Sequence, residues 1–392
     1  MFADRTNWNL KANPLSEALA QHRAAGKPLL DLTISNPTEC GFQYDRGAIL
    51  HALANPASLA YSPEPRGLPI ARQAVAAYYA ARAVEVPADG IILTTSTSEA
   101  YSFAFRTLCN PGDEILIPEP SYPLFAFLAD IQDLKLVRYP LDYDYGWQIN
   151  FHALQQRITE RTRSVIVVHP NNPTGHFTKP HELEKLNEIC SARNLAIIAD
   201  EVFLDFTLQA GQSPFTFARN DAALTFTMSG LSKISGLPQM KAAWLLASGP
   251  EPLKSQALAR LEIIADTYLS MNAPVQHAIP ALVEQRHTFQ TQLLARLRKN
   301  LAELDRQLAT QKSCARLVVE AGWYAVLRVP ATRSDEDLAI ELLSRENIYV
   351  HPGHFYDFPC DGFLIVSLIT REEEFAEGVK LLLSTFWGEE NL

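Results

Sequence analysis

Short apolar segments alternate with helical segments through the middle of this chain. The predicted helices include residues 98–108, 122–131, 151–157 and 179–193. The predicted strands are residues 91–95, 114–118, 135–139, 164–169, 196–199, 223–228 and 242–247. Strands that are apolar on both faces and separated by helices are typical of a mostly parallel sheet covered on both sides. The pattern therefore predicts an α/β fold.

The pattern changes toward both ends of the chain. A helix at 14–25 and a short strand at 28–34 precede a Pro- and Gly-rich loop and a helix at 68–83. After Pro250 the predicted helices are 251–267, 274–308, 335–346 and 371–387, and the predicted strands are 316–320, 324–329 and 364–368. We expect a large domain of residues 49–274 and a smaller α+β domain formed by residues 1–48 and 275–392. The long helix from Pro274 is expected to join the two.

Composition narrows the class of protein. The 392 residues are 47% hydrophobic and 20% charged, with a formal net charge of −10 and no run of Lys or Arg, which favours neither a nucleic-acid nor a membrane partner. The five cysteines are widely spaced, which is typical of reduced thiols. The first fifteen residues lack the apolar core of a signal peptide, and no apolar stretch is long enough to span a membrane. We therefore expect a cytoplasmic protein.

One lysine is the first candidate for chemistry. Lys233 lies in a loop rich in small and hydroxyl residues after the predicted strand 223–228, and Lys241 is eight positions further along. A lysine that attacks a carbonyl must lose its proton near neutral pH, which requires burial or a nearby cation. A lone lysine is most often a solvated surface charge. The interpretation of Lys233 as a Schiff-base lysine therefore depends on the residues at the ends of the other strands.

Polar residues come directly after several of the other predicted strands. Ligands of α/β sheets gather beyond the carboxyl ends of the strands. The hydroxyl run 96–98 opens a helix, which favours either a phosphate site or a simple N-cap. Tyr122 and Asn172 lie in Pro-rich loops that alone would be interpreted as turns. Asp200 directly follows four apolar residues, so its carboxylate is expected to be buried and to need a cation or a donor.

Three segments in this order resemble one family of enzymes. The chain has N-P-T-G at 172–175, D-E-V-F at 200–203 and S-K-I-S-G-L-P at 232–238. Together they resemble the class I and II aminotransferases, which are fold type I enzymes dependent on pyridoxal 5′-phosphate, and the resemblance covers nearly the whole chain. It implies an enzyme that transfers an amino group between an amino acid and a 2-oxo acid in ping-pong half-reactions. It also implies a homodimer with shared active sites.

The resemblance implies a role for each of the singled-out residues. Lys233 would form the Schiff base and move a proton, Asp200 would pair with the pyridine nitrogen, and Asn172 would donate to the 3′-oxygen of the ring. Tyr122 would stack on the ring face, and Tyr61 would reach the phosphate bound by the neighbouring subunit. The remaining phosphate-binding candidates are Ser96, Thr97, Ser98, Lys241 and, because Gly230 replaces a common hydroxyl residue, Ser229 or Ser232.

Phe203 occupies a position at which many relatives have a tyrosine whose hydroxyl also contacts the 3′-oxygen. Without that donor, we expect the pKa of the Schiff base to be higher than in tyrosine-bearing relatives. The substitution Phe203→Tyr should therefore lower this pKa, which a spectroscopic pH titration of the two proteins measures. An unchanged titration midpoint would contradict the interpretation.

The substrate end departs most from the family pattern. Relatives carry an arginine in an R-x-S motif that holds the substrate α-carboxylate, and Ile365 stands in its place here. The carboxylate would be held instead by Asn172, by the loop of Ser35 and Asn36, or by an arginine from elsewhere, such as Arg328 or Arg371. The segment 267–272 has no arginine that could bind a second carboxylate of the substrate, which favours a substrate with a neutral or aromatic side chain.

The phosphate site also departs from the family pattern. Lys241 stands where relatives usually have a phosphate-binding arginine, so a point charge replaces a guanidinium that could make two parallel hydrogen bonds.

Other functions remain open at this point. Without the arginine, a β-lyase or a decarboxylase on the same scaffold is the first alternative. A non-enzymatic, cofactor-binding regulator is a remote one, since such proteins usually carry a fused DNA-binding segment. His351 and His354 suggest a metal site, but Pro352 and Gly353 between them break the helix that would align the two rings, so no metal is expected. The family resemblance instead implies that this segment is a loop near the substrate entrance.

Overall fold

A computed structural model describes residues 1–209, 211 and 214–386 of the chain. Over these residues the helices are α1 (Pro14–Ala24), α2 (Arg46–Leu53), α3 (Pro69–Ala80), α4 (Thr97–Leu108), α5 (Phe125–Asp130), α6 (Phe151–Arg157), α7 (Pro180–Arg193), α8 (Leu231–Ile234), α9 (Leu253–Tyr268), α10 (Ala273–Glu284), α11 (Arg286–Leu308), α12 (Asp335–Glu346) and α13 (Glu372–Ser384). The strands are β1 (Leu30–Asp31), β2 (Ile91–Thr94), β3 (Glu114–Glu119), β4 (Lys135–Tyr143), β5 (Trp147–Ile149), β6 (Thr162–Val168), β7 (Ala196–Asp200), β8 (Thr225–Gly230), β9 (Ala243–Ser248), β10 (Ala315–Arg316), β11 (Tyr324–Arg328), β12 (Ile348–Tyr349), β13 (His351–Pro352) and β14 (Phe363–Ser367). Within the described ranges, no helix is long and apolar enough to cross a membrane.

An eight-stranded sheet forms the centre of the molecule, in the order β2-β9-β8-β7-β6-β3-β4-β5. The strands from β8 to β4 in this order run parallel, whereas β9 is antiparallel to both of its neighbours and β5 is antiparallel to β4. Successive residues of β7 face different cores: Ile198 belongs to the cluster that contains Ala257 and Leu261 of α9, and Ile197 to the cluster that contains Leu186 of α7. The predicted α/β fold with a mostly parallel sheet is confirmed.

A second sheet has the order β10-β11-β14-β13 and is antiparallel throughout. β1 and β12 form a separate two-stranded parallel sheet. Residues near the start of the chain attach to the four-stranded sheet because the Ser367 amide donates to the Leu32 carbonyl at 2.6 Å. Buried Asn300 of α11 donates to the carbonyls of Leu368 and Thr370 at 2.8 and 2.7 Å. The end of β14 is thereby fixed from two sides.

The predicted helix 274–308 is two helices, which meet at Gln285. The buried guanidinium of Arg286 donates to the Val283 carbonyl at 3.0 Å, so a side chain takes up a helical acceptor at the break. Periodicity alone does not reveal this, because both helices keep their apolar faces. Of the predicted helix 371–387, α13 covers Glu372–Ser384, and Trp387 lies outside the described residues.

Of the predicted strand 316–320, only Arg316 lies in a strand, the two-residue β10 (Ala315–Arg316). Beyond it the chain is held by the loop after β6. The amides of Glu320 and Ala321 both donate to the Gly175 carbonyl, and the Glu320 carboxylate accepts from the Phe177 amide at 2.8 Å and pairs with Lys179. Gly175 has φ +70, and a Cβ there would lie 2.4 Å from the Ala321 carbonyl oxygen, so this approach requires glycine.

Candidate active site

The polar residues predicted from the sequence leave the sheet at one edge. Asp200 ends β7 and pairs in register with Val168 of β6 on one side and Met228 of β8 on the other. The loop after β6 carries Asn172, and the turn after β8 carries Lys233 in the short helix α8. Because these three strands are parallel neighbours, Asn172, Asp200 and Lys233 lie side by side beyond their carboxyl ends.

Lys233 is partly buried in aromatic surroundings. Its Nζ lies 4.7 Å from the ring centroid of Trp323 and 5.5 Å from that of Phe203. Burial lowers the pKa of this amine to about 8, although the nearby Asp200 carboxylate acts in the opposite direction. The cation–π contacts hold the ammonium form in place, and the lowered pKa makes the neutral amine accessible near physiological pH.

Asp200 is a buried carboxylate with two donors. The Tyr101 hydroxyl donates to Oδ2 at 3.0 Å and the Val202 amide donates to Oδ1 at 3.1 Å. Burial nevertheless raises the pKa of Asp200 to about 6, against the effects of both hydrogen bonds and of Lys233. An acid in this state is poised to bind a cationic donor, which would compensate its burial.

Tyr101 was not singled out from the sequence, and it fixes the position of a helix. It lies on α4 four residues after Thr97, so the two residues share one face and Thr97 is about 6 Å closer to the N-terminus. The bond from Tyr101 to Asp200 therefore aims the first turn of α4 at the edge of the sheet where Asp200 lies. The four-residue spacing shows from the sequence that Tyr101 and Thr97 share a helix face. It does not show that the Tyr101 hydroxyl contacts Asp200.

The first turn of α4 offers unpaired donors. The Ser96 hydroxyl caps the helix by accepting from the Glu99 amide at 3.2 Å, and the Glu99 carboxylate accepts from the Thr95 amide at 2.7 Å. Within the described residues, the amides of Thr97 and Ser98 have no acceptor. Free amides at a helix N-terminus bind phosphate. The N-cap and a phosphate site are compatible here, because the cap takes up the Glu99 amide and leaves the amides of Thr97 and Ser98 for a ligand.

Asn172 and Tyr122 lie in neighbouring loops. Asn171 donates to the Pro120 carbonyl at 3.1 Å, which ties the loop of Asn172 to the loop of Tyr122. Asn172 is buried, and its Oδ1 has no partner in the described structure. Tyr122 is 37% exposed and meets Phe125 edge-on at 6.2 Å, so much of its ring is open. An unpaired buried amide and an open ring at this edge are suited to hold a flat polar ligand.

The other predicted cofactor contacts range from buried Ser229 to exposed Lys241 and Tyr61. Lys241 is exposed and has φ +50, Ser232 is partly buried, and the Ser229 hydroxyl donates to the Glu201 carbonyl at 3.5 Å. Tyr61 is 84% exposed. The structure also explains Gly230: a Cβ there would lie 2.8 Å from the Ala243 Cβ on β9, so the close approach of β8 and β9 leaves no room for a hydroxyl side chain.

Among the described residues, Asp200 is the charged group that acts on the pKa of Lys233, and no arginine does so. Ile365 is buried in the middle of β14. Arg328 is at the far end of β11, four residues from Tyr324, and stands over the Phe363 ring, whereas Arg371 lies beside Gly41. Ser35 is exposed and interacts with the Tyr324 hydroxyl. The Asn36 Oδ1 accepts from the Thr38 amide and hydroxyl at 3.2 and 2.8 Å, which leaves only its amide nitrogen for a ligand.

A mostly parallel sheet with a lysine and a buried aspartate beyond the carboxyl ends of neighbouring strands is the arrangement of a fold type I enzyme. The chain belongs to the family of aminotransferases of class I and II, whose sequence model matches residues 7–380. It is an aminotransferase, and it is 27% identical over 366 residues to the glutamate-pyruvate aminotransferase AlaA of Haemophilus influenzae, covering 91% of this chain and 90% of that protein. It is 28% identical over 387 residues to the alanine aminotransferase of Mycobacterium bovis, covering 94% and 88%.

Solved structures show the same fold. An aminotransferase from Escherichia coli superposes with a TM-score of 0.86 at 24% identity, over 98% of both chains. Alanine aminotransferase from Pyrococcus furiosus superposes with a TM-score of 0.87 at 21% identity, over 99% of this chain and 100% of that one. The fold thus extends over nearly the whole chain at low sequence identity.

Proposed function

We propose that this aminotransferase uses pyridoxal 5′-phosphate to move an amino group between a neutral or aromatic α-amino acid and a 2-oxo acid in ping-pong half-reactions. The observation that carries the proposal is the pair of Lys233, with its pKa lowered to about 8, and the buried carboxylate of Asp200 at one edge of the sheet. The name of the Mycobacterium bovis relative, alanine aminotransferase, supports a small neutral donor such as alanine.

The residues at this edge fit the cofactor. The free amides and hydroxyls of Thr97 and Ser98 would hold the phosphate, Asp200 would pair with the pyridine nitrogen, and the side-chain nitrogen of buried Asn172 would donate to the ring oxygen. Tyr122 would cover a ring face. Bound there, pyridoxal phosphate would supply an aldehyde that takes up the amino group and a ring that accepts electrons from the substrate Cα.

Lys233 is the residue that moves the proton. With a pKa of about 8, roughly a tenth of this amine is neutral at pH 7, so it can accept a proton from the substrate Cα at Nζ and return it. Phe203 and Trp323 exclude water from one side of the amine. Asp200, once compensated by a cation, stays ionised and keeps that cation protonated.

We further propose that the enzyme works as a cytoplasmic homodimer, with a large domain of residues 49–274 and a smaller domain of residues 1–48 and 275–392. An open cleft lined by Tyr61, Leu269 and Met271 supports a contact between subunits, because Tyr61 and Leu59 are 84% and 93% exposed apolar side chains. Tyr61 would then reach the site of the neighbouring subunit, as the family resemblance implies.

The test is the visible spectrum of the protein with pyridoxal phosphate while single amino acids are added without any oxo acid. We expect the band of the bound aldehyde form to convert to that of the amine form, with one equivalent of 2-oxo acid released per site. The amino acids that respond define the pocket. Ile365 in place of the arginine favours one competing result: a persistent band with catalytic release of ammonia or carbon dioxide would assign a lyase or decarboxylase instead.

A further inference from the structure

One face of the four-stranded sheet points toward Lys233. Ile365 of β14 pairs in register with Val326 of β11 on one side and with His351 of β13 on the other. Directly opposed residues of antiparallel strands project to the same face, and Tyr324, two residues from Val326, shares it. The Tyr324 ring lies 6.3 Å from that of Phe203, which contacts Lys233. His351 is therefore next to Ile365 on the face toward the lysine.

The His351 ring is held at one nitrogen and open at the other. Its Nδ1 lies 3.1 Å from the Tyr356 hydroxyl, and its ring contacts those of Tyr349 and Phe355 at 5.8 and 5.7 Å. Over the ranges that the structure describes, Nε2 has no protein partner, and the side chain is only half-buried. A partly buried polar atom that the protein leaves without a partner is available to a ligand.

The loops around His351 belong to the same site as the lysine. The Ser121 amide donates to the Tyr356 carbonyl at 2.9 Å, which joins the segment of His351 to the loop of Tyr122. Tyr324 and Tyr356 have ring centroids 6.5 Å apart. His351 thus lies at the end of a row of Tyr324 and Tyr356, which extends from the aromatic surroundings of Lys233.

We propose that His351 binds the α-carboxylate of the amino acid substrate through a proton on Nε2, and that Tyr356 is a positioning residue whose hydroxyl donates to Nδ1. The inference rests on the proposed aminotransferase function. A neutral imidazole can donate its N–H to a carboxylate without adding a permanent charge next to buried Ile365. Burial lowers the pKa of His351 to about 4, although Asp31 opposes the shift, so near pH 7 the ring carries one proton.

The kinetic test compares His351→Phe with His354→Phe, a control in the same segment whose side chain is exposed. Loss of a hydrogen bond to a charged group should raise KM for the amino acid about 10- to 100-fold in His351→Phe, with a smaller change in kcat. The control should behave as wild type. Unchanged KM in His351→Phe with an active wild-type enzyme would overturn the role of His351 and leave the aminotransferase function standing. Failure of the wild-type enzyme to release any 2-oxo acid would instead refute the proposed function.

Binding without turnover provides a second readout, and its main measurement uses the wild-type protein, so it does not depend on how well a variant folds. In the wild-type holoenzyme with ¹⁵N-labelled histidine, 2-methylalanine, which has no α-proton to lose, should shift the Nε2 signal of His351. His351→Gln, which keeps an amide donor, identifies that signal by its loss and should bind 2-methylalanine more tightly than His351→Phe. Tyr356→Phe should weaken binding about threefold to tenfold and change the tautomer signature at Nδ1. A His351 signal that 2-methylalanine leaves unmoved would overturn the proposal.

Discussion

Replacing Lys233 by alanine is expected to abolish covalent attachment of the cofactor and to reduce amino-group transfer by about 10³-fold or more. The reason is that one side chain supplies both the amine that binds the carbonyl and the base that moves the proton. Borohydride reduction followed by mass measurement of the intact chain reports attachment directly. Release of 2-oxo acid from an added amino acid reports transfer.

Lys241→Ala is the matched control, because Lys241 lies in the same segment but is exposed. That variant should keep the reduced cofactor attached and should at most bind it more weakly, since it loses one point charge near the phosphate. If the chain of Lys233→Ala still carried the reduced cofactor, the assignment of Lys233 would be wrong. If Lys241→Ala lost attachment while Lys233→Ala kept it, the two lysines would exchange roles.

The rate at which the apoprotein captures pyridoxal phosphate should also depend on pH in a characteristic way. The pKa of Lys233 is lowered from 10.5 to about 8, so the fraction of neutral amine rises about tenfold per pH unit below pH 8 and levels off above it. The rate at which the apoprotein captures pyridoxal phosphate should follow this profile. Lys241→Ala should preserve the profile. A rate that continues to rise through pH 10 would indicate an unperturbed surface lysine.

The sequence predicted the elements of the central sheet better than their arrangement. The apolar segments became strands β2, β3, β4, β6, β7, β8 and β9 with end shifts of a few residues. Their order and the reversed direction of β9 depend on long-range pairing, which a local pattern does not contain. Short β5 went unnoticed because three residues with one exposed position give no clear alternation.

In the candidate site too, the sequence predicted residues that follow local patterns but not contacts between distant segments. Asp200 and Lys233 were predicted because each follows an apolar strand and because their segments resemble a family. Tyr101 and His351 were assigned no such roles, since their neighbours come from other parts of the chain. Tyr101 meets Asp200 across 99 positions, and His351 becomes relevant only through its register with Ile365. Contacts between distant segments are set by packing and are not visible in spacing.

Asp200→Asn is expected to reduce amino-group transfer at least about a hundredfold while making the apoprotein more stable at neutral pH. Activity falls because a neutral amide cannot hold a cationic ring nitrogen, so the ring loses its ability to accept electrons. Stability rises because the ionised carboxylate is buried: its pKa is about 6 in the folded chain and 3.8 in an ordinary setting. The difference corresponds to about 3 kcal/mol at pH values well above 6.

The sign of the pH dependence separates this effect from a general loss of structure. Because the folded-state pKa is raised, the wild-type apoprotein is destabilised as the pH rises from 4 through 6, whereas asparagine does not titrate. Urea unfolding should therefore show similar free energies of unfolding for both proteins near pH 4 and a higher one for Asp200→Asn at pH 7.5. The amide can keep both existing contacts, accepting from the Val202 amide and donating to the Tyr101 hydroxyl.

Asp205→Asn provides the opposite control. Its side chain is also buried, but it pairs with Arg82 and accepts from the Tyr78 hydroxyl at 3.1 Å, so neutralising it leaves a cation without its partner. That variant should be less stable than wild type at pH 7.5. If Asp200→Asn were likewise less stable, Asp200 would be a structural ion-pair residue in the apoprotein, and its raised pKa would not reflect a carboxylate kept for a cationic ligand. A gain in stability joined to a loss of transfer is the result expected of a residue retained for binding and chemistry.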